Sequence, residues 1–315
     1  MTIESIPAAG ELFSAASAIL WALSLVLFRR AGTSMGPATL NLYKGLVAIV
    51  FLVPTMLILG VDMTPDDVSA RDWLMMLISG ALGMGVADTI LFICLNRVGP
   101  TRYAIINCAY GPVVIVVSVL WLDEAFSWLL AVSAILMITS ILMSVLTAES
   151  FRRLFGRGGA TGPDAGRERL GRFYLLGLLG VSMIAVSIVA AKPILDRTDG
   201  VWGAFARLCG GLLFLIPQNL MPGRIGETLK ALGPGGHHKT ALLPSILGAW
   251  LCTVLWTLGM KYTLASTASV LTQLTNIMLF PFSALILKER MQVKQLVAVL
   301  VGMTAGLLLI LKSHF

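Results

Sequence analysis

Charged side chains are scarce in this sequence: only 12% of its 315 residues are Asp, Glu, Lys or Arg, and 57% are hydrophobic. An average soluble protein is about one quarter charged. Mean hydropathy is +0.89. A soluble chain of this size leaves about a quarter of its unfolded surface in water, and so few polar groups cannot cover it. Cysteine is sparse too. Cys94, Cys108, Cys209 and Cys252 all fall in apolar stretches, with no CxxC and no Cys/His spacing that suits zinc. The three histidines, His237, His238 and His314, sit in a Gly-rich loop and at the C-terminal tail, which excludes a His-based catalytic centre. There is no HExxH, no pair of intramembrane carboxylates and no Ser/His set. "GPGGHHKT" ends like a phosphate loop but carries His238 where that motif requires Gly. The sequence therefore predicts no enzyme, no cofactor and no metal.

What the chain does have is long apolar runs. A bilayer core takes about 20 apolar residues per helix, with every backbone polar group paired inside the segment. Cutting at charged and Gly/Pro-rich breaks predicts an all-α membrane protein of about ten transmembrane helices, near 12–28, 38–59, 73–95, 102–121, 127–147, 173–194, 201–220, 241–260, 265–287 and 293–311. The first run is read as a membrane anchor rather than a cleaved signal, because Glu4 and Glu11 precede it and Arg29-Arg30 follow it.

One long polar stretch, "AESFRRLFGRGGATGPDAGRERLGR", divides the chain into 1–147, a basic linker 148–172, and 173–315. The two halves resemble each other. A shift of 165 places Leu82-Gly83 on Leu247-Gly248 and Glu124 on Glu289; a shift of 163 places Lys44 on Arg207 and Pro54 on Pro217. Five helices per half is an odd number, so the second half enters the membrane from the opposite face. Two such inverted repeats can rock around a midplane cavity, the basis of alternating access.

Arg and Lys gather in the loops after odd-numbered segments, from Arg29-Arg30 to Lys288 and Arg290, whereas "GVDMTPDDVSARD" on the other side is acidic. The positive-inside rule then places both termini outside. It also accounts for the net charge of +7 without a nucleic-acid partner.

"GALGMGVADTILFICL" carries one acid, Asp88, within an apolar run. A charge there costs a few kcal/mol unless it is paired, neutralised or facing water. Lys44 lies at a similar depth in the preceding helix, so the two are expected to face the interior and to pair, with Asp88 the candidate proton- or cation-coupling residue. Arg207 has Thr253 where its matching acid would stand; Asp196, Asp199 or a substrate carboxylate are its candidate partners. Tyr103, Asn107 and Tyr110 share one face of the fourth helix, and Ser269, Gln273 and Asn276 one face of the ninth. With Lys44 and Arg207 they are expected to line a substrate path. The bland alternative for each is structural: a snorkelling lysine, or hydrogen bonds between helices. Gly111-Pro112 and Pro281 are expected to interrupt those two helices. Gly302 and Gly306 form a GxxxG face that permits close packing between helices or between the subunits of a homodimer.

"LGMGVADTILFICLNRVGPTRYAIINCAYGPVVIVVSVLWLDEAF" and "LGAWLCTVLWTLGMKYTLASTASVLTQLTNIMLFPFSALILKERM" resemble the two EamA-type repeats of the drug/metabolite transporter superfamily. The likeness lies in the opening glycine, the "CLNRVGPTRYA" turn and its counterpart "GMKYTLASTAS", and the closing acids Glu124 and Glu289. The resemblance implies a ten-helix carrier in the cytoplasmic membrane that exports amino acids, other metabolites or drugs, with cytoplasmic termini, opposite to the charge pattern. Lys44 stands where the family usually has Arg. A secondary transporter of a small metabolite, with the bilayer, a substrate and a coupling proton as its partners, is the leading expectation. The alternatives are a multidrug efflux carrier of the same fold and a non-transporting sensor or scaffold.

Overall fold

The computed structural model describes residues 8–32, 34–98, 103, 106–124, 127–145, 165–234, 236, 238–287, 293, 297, 300–305 and 308. Glu289, Gly306, His237, His314, much of the linker 148–172 and most of the tenth expected segment lie outside the described residues. The described part is helical throughout: α1 Ala9–Ala31, α2 Pro37–Leu59, α3 Ala70–Val98, α4 Tyr110–Leu122, α5 Trp128–Val145, α6 Ala165–Arg197, α7 Gly200–Leu220, α8 Ile225–Leu232, α9 His238–Tyr262, α10 Ala265–Thr272 and α11 Leu274–Leu287.

Among the described residues, seven helices are long and apolar enough to cross a membrane: α1, α2, α3, α6, α7, α9, and α10 with α11 taken together. Shorter apolar stretches lie at Tyr110–Leu122 and Trp128–Ser140. Large apolar side chains such as Val50, Ile58, Leu120 and Leu285 point outward, while Ser14, Ser17, Asn41, Lys44 and Arg207 are buried. That polarity suits a molecule whose solvent is lipid. Exposed Trp121 and Trp128 lie at the end of α4 and the start of α5, where an aromatic belt would sit. The protein is a multi-pass membrane protein.

Local chemistry fixes the helix ends. α2 starts with Pro37 in its first turn and stops at Gly60, whose φ of 67° is the left-handed C-cap conformation. α3 opens on a capping box between Ser69 and Asp72, and Asp72 also holds Arg197 from the end of α6. Asp199 caps α7 by accepting from the Val201 and Trp202 amides.

The first helix of each half lies on the other half. α1 packs on α9, α10 and α11, while α6 packs on α3 and α4. α7 crosses α2 and α3 at close range, because Gly80 lies on the Arg207 backbone and Gly210 on the Leu77 backbone.

Two irregularities occur at repeat-related places. α3 passes through a π-helical stretch at Ala81–Ala87 and α9 through one at Ser245–Leu251; the 165-residue shift superposes them to within one residue. Helix also breaks at Cys108-Ala109, just before α4, and at Gln273, between α10 and α11, and the same shift carries Cys108 onto Gln273. The expected interruptions at Gly111-Pro112 and Pro281 are therefore misplaced. Pro112 falls in the first turn of α4, where its missing N–H costs nothing, and Pro281 is carried inside α11. The short helix α8 was not expected from the sequence.

Candidate functional site

The two π stretches and residues beside the two breaks line a cavity of about 170 Å³, bounded by α1, α2, α3, α6, α7 and α9 and by Tyr103, Asn107, Tyr110, Thr272 and Thr275. A π turn holds one residue more than an α turn and releases carbonyls from the i to i+4 ladder. In α3, the side chain of Asn41 takes them up. Its Nδ2 donates to the Met84 carbonyl at 2.9 Å, the Gly85 carbonyl at 3.1 Å and Thr89 Oγ1 at 2.9 Å. Asn41 is fully buried, and its Oδ1 has no partner among the described residues. Asn41→Asp would turn a carboxylate onto two carbonyl oxygens. We expect a loss of about 3 kcal/mol or more, read as a lower midpoint of thermal unfolding in detergent, with Asn41→Ala losing less.

Lys44 and Asp88 form an ion pair on the cavity wall, Nζ to Oδ2 at 2.5 Å. The Lys44 ammonium also lies 5.2 Å from the Trp21 ring centre and 5.0 Å from that of Phe92. This cation is thus surrounded by a carboxylate and two aromatic rings.

Arg207, its repeat-related counterpart, is treated differently. It is 1% exposed, and its guanidinium lies 5.3 Å from the Trp256 ring centre. Nη1 donates to Ser79 Oγ and, at 3.2 Å, to the Ser187 carbonyl. Neither acid considered from sequence reaches it, since Asp196 pairs with Lys192 and Asp199 caps α7. Among the described residues no carboxylate pairs with Arg207, and Nε is buried without a partner.

Tyr103, Asn107 and Tyr110 line the cavity together with Lys44, Asp88 and Arg207. Ser269, Gln273 and Asn276 are buried but do not line it. Gln273 Nε2 donates to the Asn107 carbonyl at 3.3 Å, Asn107 Nδ2 to Asn276 Oδ1 at 3.1 Å, and Asn276 Nδ2 to Gln273 Oε1 at 2.8 Å. The two breaks are thus tied to each other across the halves. Thr272 and Thr275 face the cavity instead, because the break at Gln273 shifts the helical register that a continuous helix would keep. Asn41, Trp256 and the two π stretches are the parts of the site that sequence reasoning missed.

Glu124 reaches from the end of α4 to the start of α10. Its carboxylate accepts from the Ala265 amide at 2.8 Å, the Ser266 amide at 3.1 Å and Ser266 Oγ at 2.5 Å. An acid at a helix N-terminus meets unpaired N–H groups and the positive end of the helix dipole. No group of His, Cys, Asp and Glu among the described residues could hold a metal ion.

A model of the EamA-like transporter family matches residues 8–146 and 171–312. No curated protein matches the chain. A solved crystal structure superposes with a TM-score of 0.73 at 15% identity, over 98% of this chain and 99% of its own; at that identity the likeness is one of fold.

Proposed function

Because the chain belongs to the EamA-like transporter family, we propose that it is a secondary transporter that exports a small metabolite, an amino acid or related compound, across the cytoplasmic membrane. Ten helices form two inverted repeats, 1–147 and 173–315, which rock around the central cavity and are joined by the linker 148–172. The observation that carries this reading is the cavity itself: three charged side chains, Lys44, Asp88 and Arg207, meet there inside the hydrocarbon-spanning part of the bundle. A scaffold or sensor could fill its centre with apolar side chains, whereas charges at that depth are costly and mark a path. Asp88 takes the coupling proton; Tyr103, Asn107, Tyr110 and Arg207 contact the substrate.

The test is flux. Purified protein in liposomes, preloaded with unlabelled compound, is expected to accumulate the labelled form by counterflow, and to accumulate it further when a pH gradient is imposed. Counterflow absent for amino acids, organic acids, nucleosides and cationic drugs alike would sink the transport reading.

A further inference from the structure

Among the described residues, the cavity lining carries one more positive charge than negative, and that excess lies on a single side chain. Lys44 is already balanced by Asp88 at 2.5 Å and enclosed by Trp21 and Phe92. Among the described residues no carboxylate balances Arg207. Its Nη1 is committed to Ser79 Oγ and the Ser187 carbonyl, and Trp256 flanks the guanidinium. What is left is the edge formed by Nη2 and by Nε, a buried donor with no partner among the described residues. Gly83 packs closely beside that edge, since a Cβ there would come within 3.2 Å of Nη2 and 2.5 Å of Ser187 Oγ, so a larger residue would displace the guanidinium.

A guanidinium edge presents two parallel N–H groups at the spacing of the two oxygens of a carboxylate. A buried cation with no counter-charge is also the most costly feature a low-dielectric site can hold, and an anion brought to it removes the cost. From these two facts we infer that the substrate is a small organic monoanion, whose carboxylate binds bidentately to Nε and Nη2 of Arg207. The inference rests on the transport reading and, among its small metabolites, favours related organic anions over the amino acids themselves.

Charge balance separates this ligand from a zwitterion. Lys44, Asp88 and Arg207 are the charged residues lining the cavity among the described residues, so with Asp88 ionised one ligand carboxylate makes their total zero. The ammonium of an amino acid brings the excess back. Its partner would have to be Asp88, and taking Asp88 frees Lys44 to become the uncompensated cation. A free amine gains nothing from Arg207 and is repelled by it.

Three probes with one hydrocarbon chain isolate the head group: α-ketoisocaproate with a carboxylate alone, leucine with both charges, and isoamylamine with an ammonium alone. Binding is measured by calorimetry on the full chain in detergent, and counterflow is measured with the same three compounds. The expected order is the keto acid first, leucine weaker by roughly tenfold or more, and no binding of the amine. Arg207→Lys retains the charge but loses the two-donor edge, and is expected to weaken keto-acid binding by about tenfold or more. The wild-type order decides the question alone if that variant does not fold. Leucine or the amine binding as tightly as the keto acid, no binding of any probe, or a folded Arg207→Lys variant that binds normally would overturn the inference. Counterflow of leucine or the amine without keto-acid binding would overturn it and leave transport standing. Keto-acid binding in the expected order without counterflow of any compound would sink transport and keep the anion site.

Discussion

Replacing Asp88 by Asn is expected to reduce gradient-driven accumulation to the level seen without a gradient, while counterflow of labelled against unlabelled substrate continues. The amide has nearly the shape of the carboxylate but cannot take up or release a proton, so only the coupled step should be lost. A second effect follows from the ion pair. Asp88 is the carboxylate that balances Lys44, whose side chain is 8% exposed, and removing one partner of a buried pair leaves the other uncompensated at a cost of about 3 kcal/mol. The single variant should therefore unfold at a lower temperature. In Lys44→Met/Asp88→Asn both charges are gone and much of that stability should return, because the two substitutions act on one interaction and are not additive. Coupling should not return. If the double variant regains coupled accumulation, Asp88 is a structural partner of Lys44 and the proton travels elsewhere; if Asp88→Asn alone leaves coupling intact, the same conclusion holds.

The second large effect is expected where α3 crosses α7. Gly80 sits so close to the Arg207 backbone, and Gly210 to the Leu77 backbone, that a Cβ at either place would overlap main-chain atoms of the other helix. Main chain cannot rotate out of the way as a side chain can. Small residues at such crossings let helices approach closely in a solvent that supplies no hydrophobic drive to bring them together. Gly80→Leu or Gly210→Leu must push the helices apart, and the loss is expected to be about 3 kcal/mol, seen as lower yield and an earlier thermal transition. Because Arg207 itself lies on this crossing, ligand binding should fall with it. Gly226 is the control. It lies in the short helix α8 with no atom near its would-be Cβ, so Gly226→Ala should leave stability unchanged or raise it slightly through helix propensity. Equal losses at Gly80 and Gly226 would mean that close approach is not what the crossing requires.

How much of this was visible in the sequence depends on which physical constraint was being read. The apolar runs and the two similar halves were legible, because lipid demands long apolar helices and because Glu124, Arg207 and Pro217 stand out at matching positions. The pairing of Lys44 with Asp88 followed from depth alone, since charges in hydrocarbon have few places to go. The π stretches were not legible: one extra residue in a turn changes neither composition nor apolar character, and Asn41, which takes up the freed carbonyls, reads as any other polar residue. The helix breaks were looked for at prolines, yet they fall at Cys108-Ala109 and Gln273, where side-chain and carbonyl hydrogen bonds between the two halves accommodate them. The polar stripe of Ser269, Gln273 and Asn276 was counted through such a break, so a shared face on paper became a set of ties to the other half. Arg207 was singled out, but its lack of a partner was not foreseeable, because Asp196 and Asp199 lie close in sequence and only the fold directs them elsewhere.

Glu124 has a consequence for how the two halves can part. Contact between apolar surfaces yields gradually, each ångström of separation giving up a little more area. The grip of one carboxylate on the Ala265 and Ser266 amides and the Ser266 hydroxyl is short-ranged and directional, and it is gone once the groups have moved by less than the width of a water molecule. At this point the halves are fastened by a catch rather than by a spring, and the rocking proposed above would have to release these three bonds before the halves could part there.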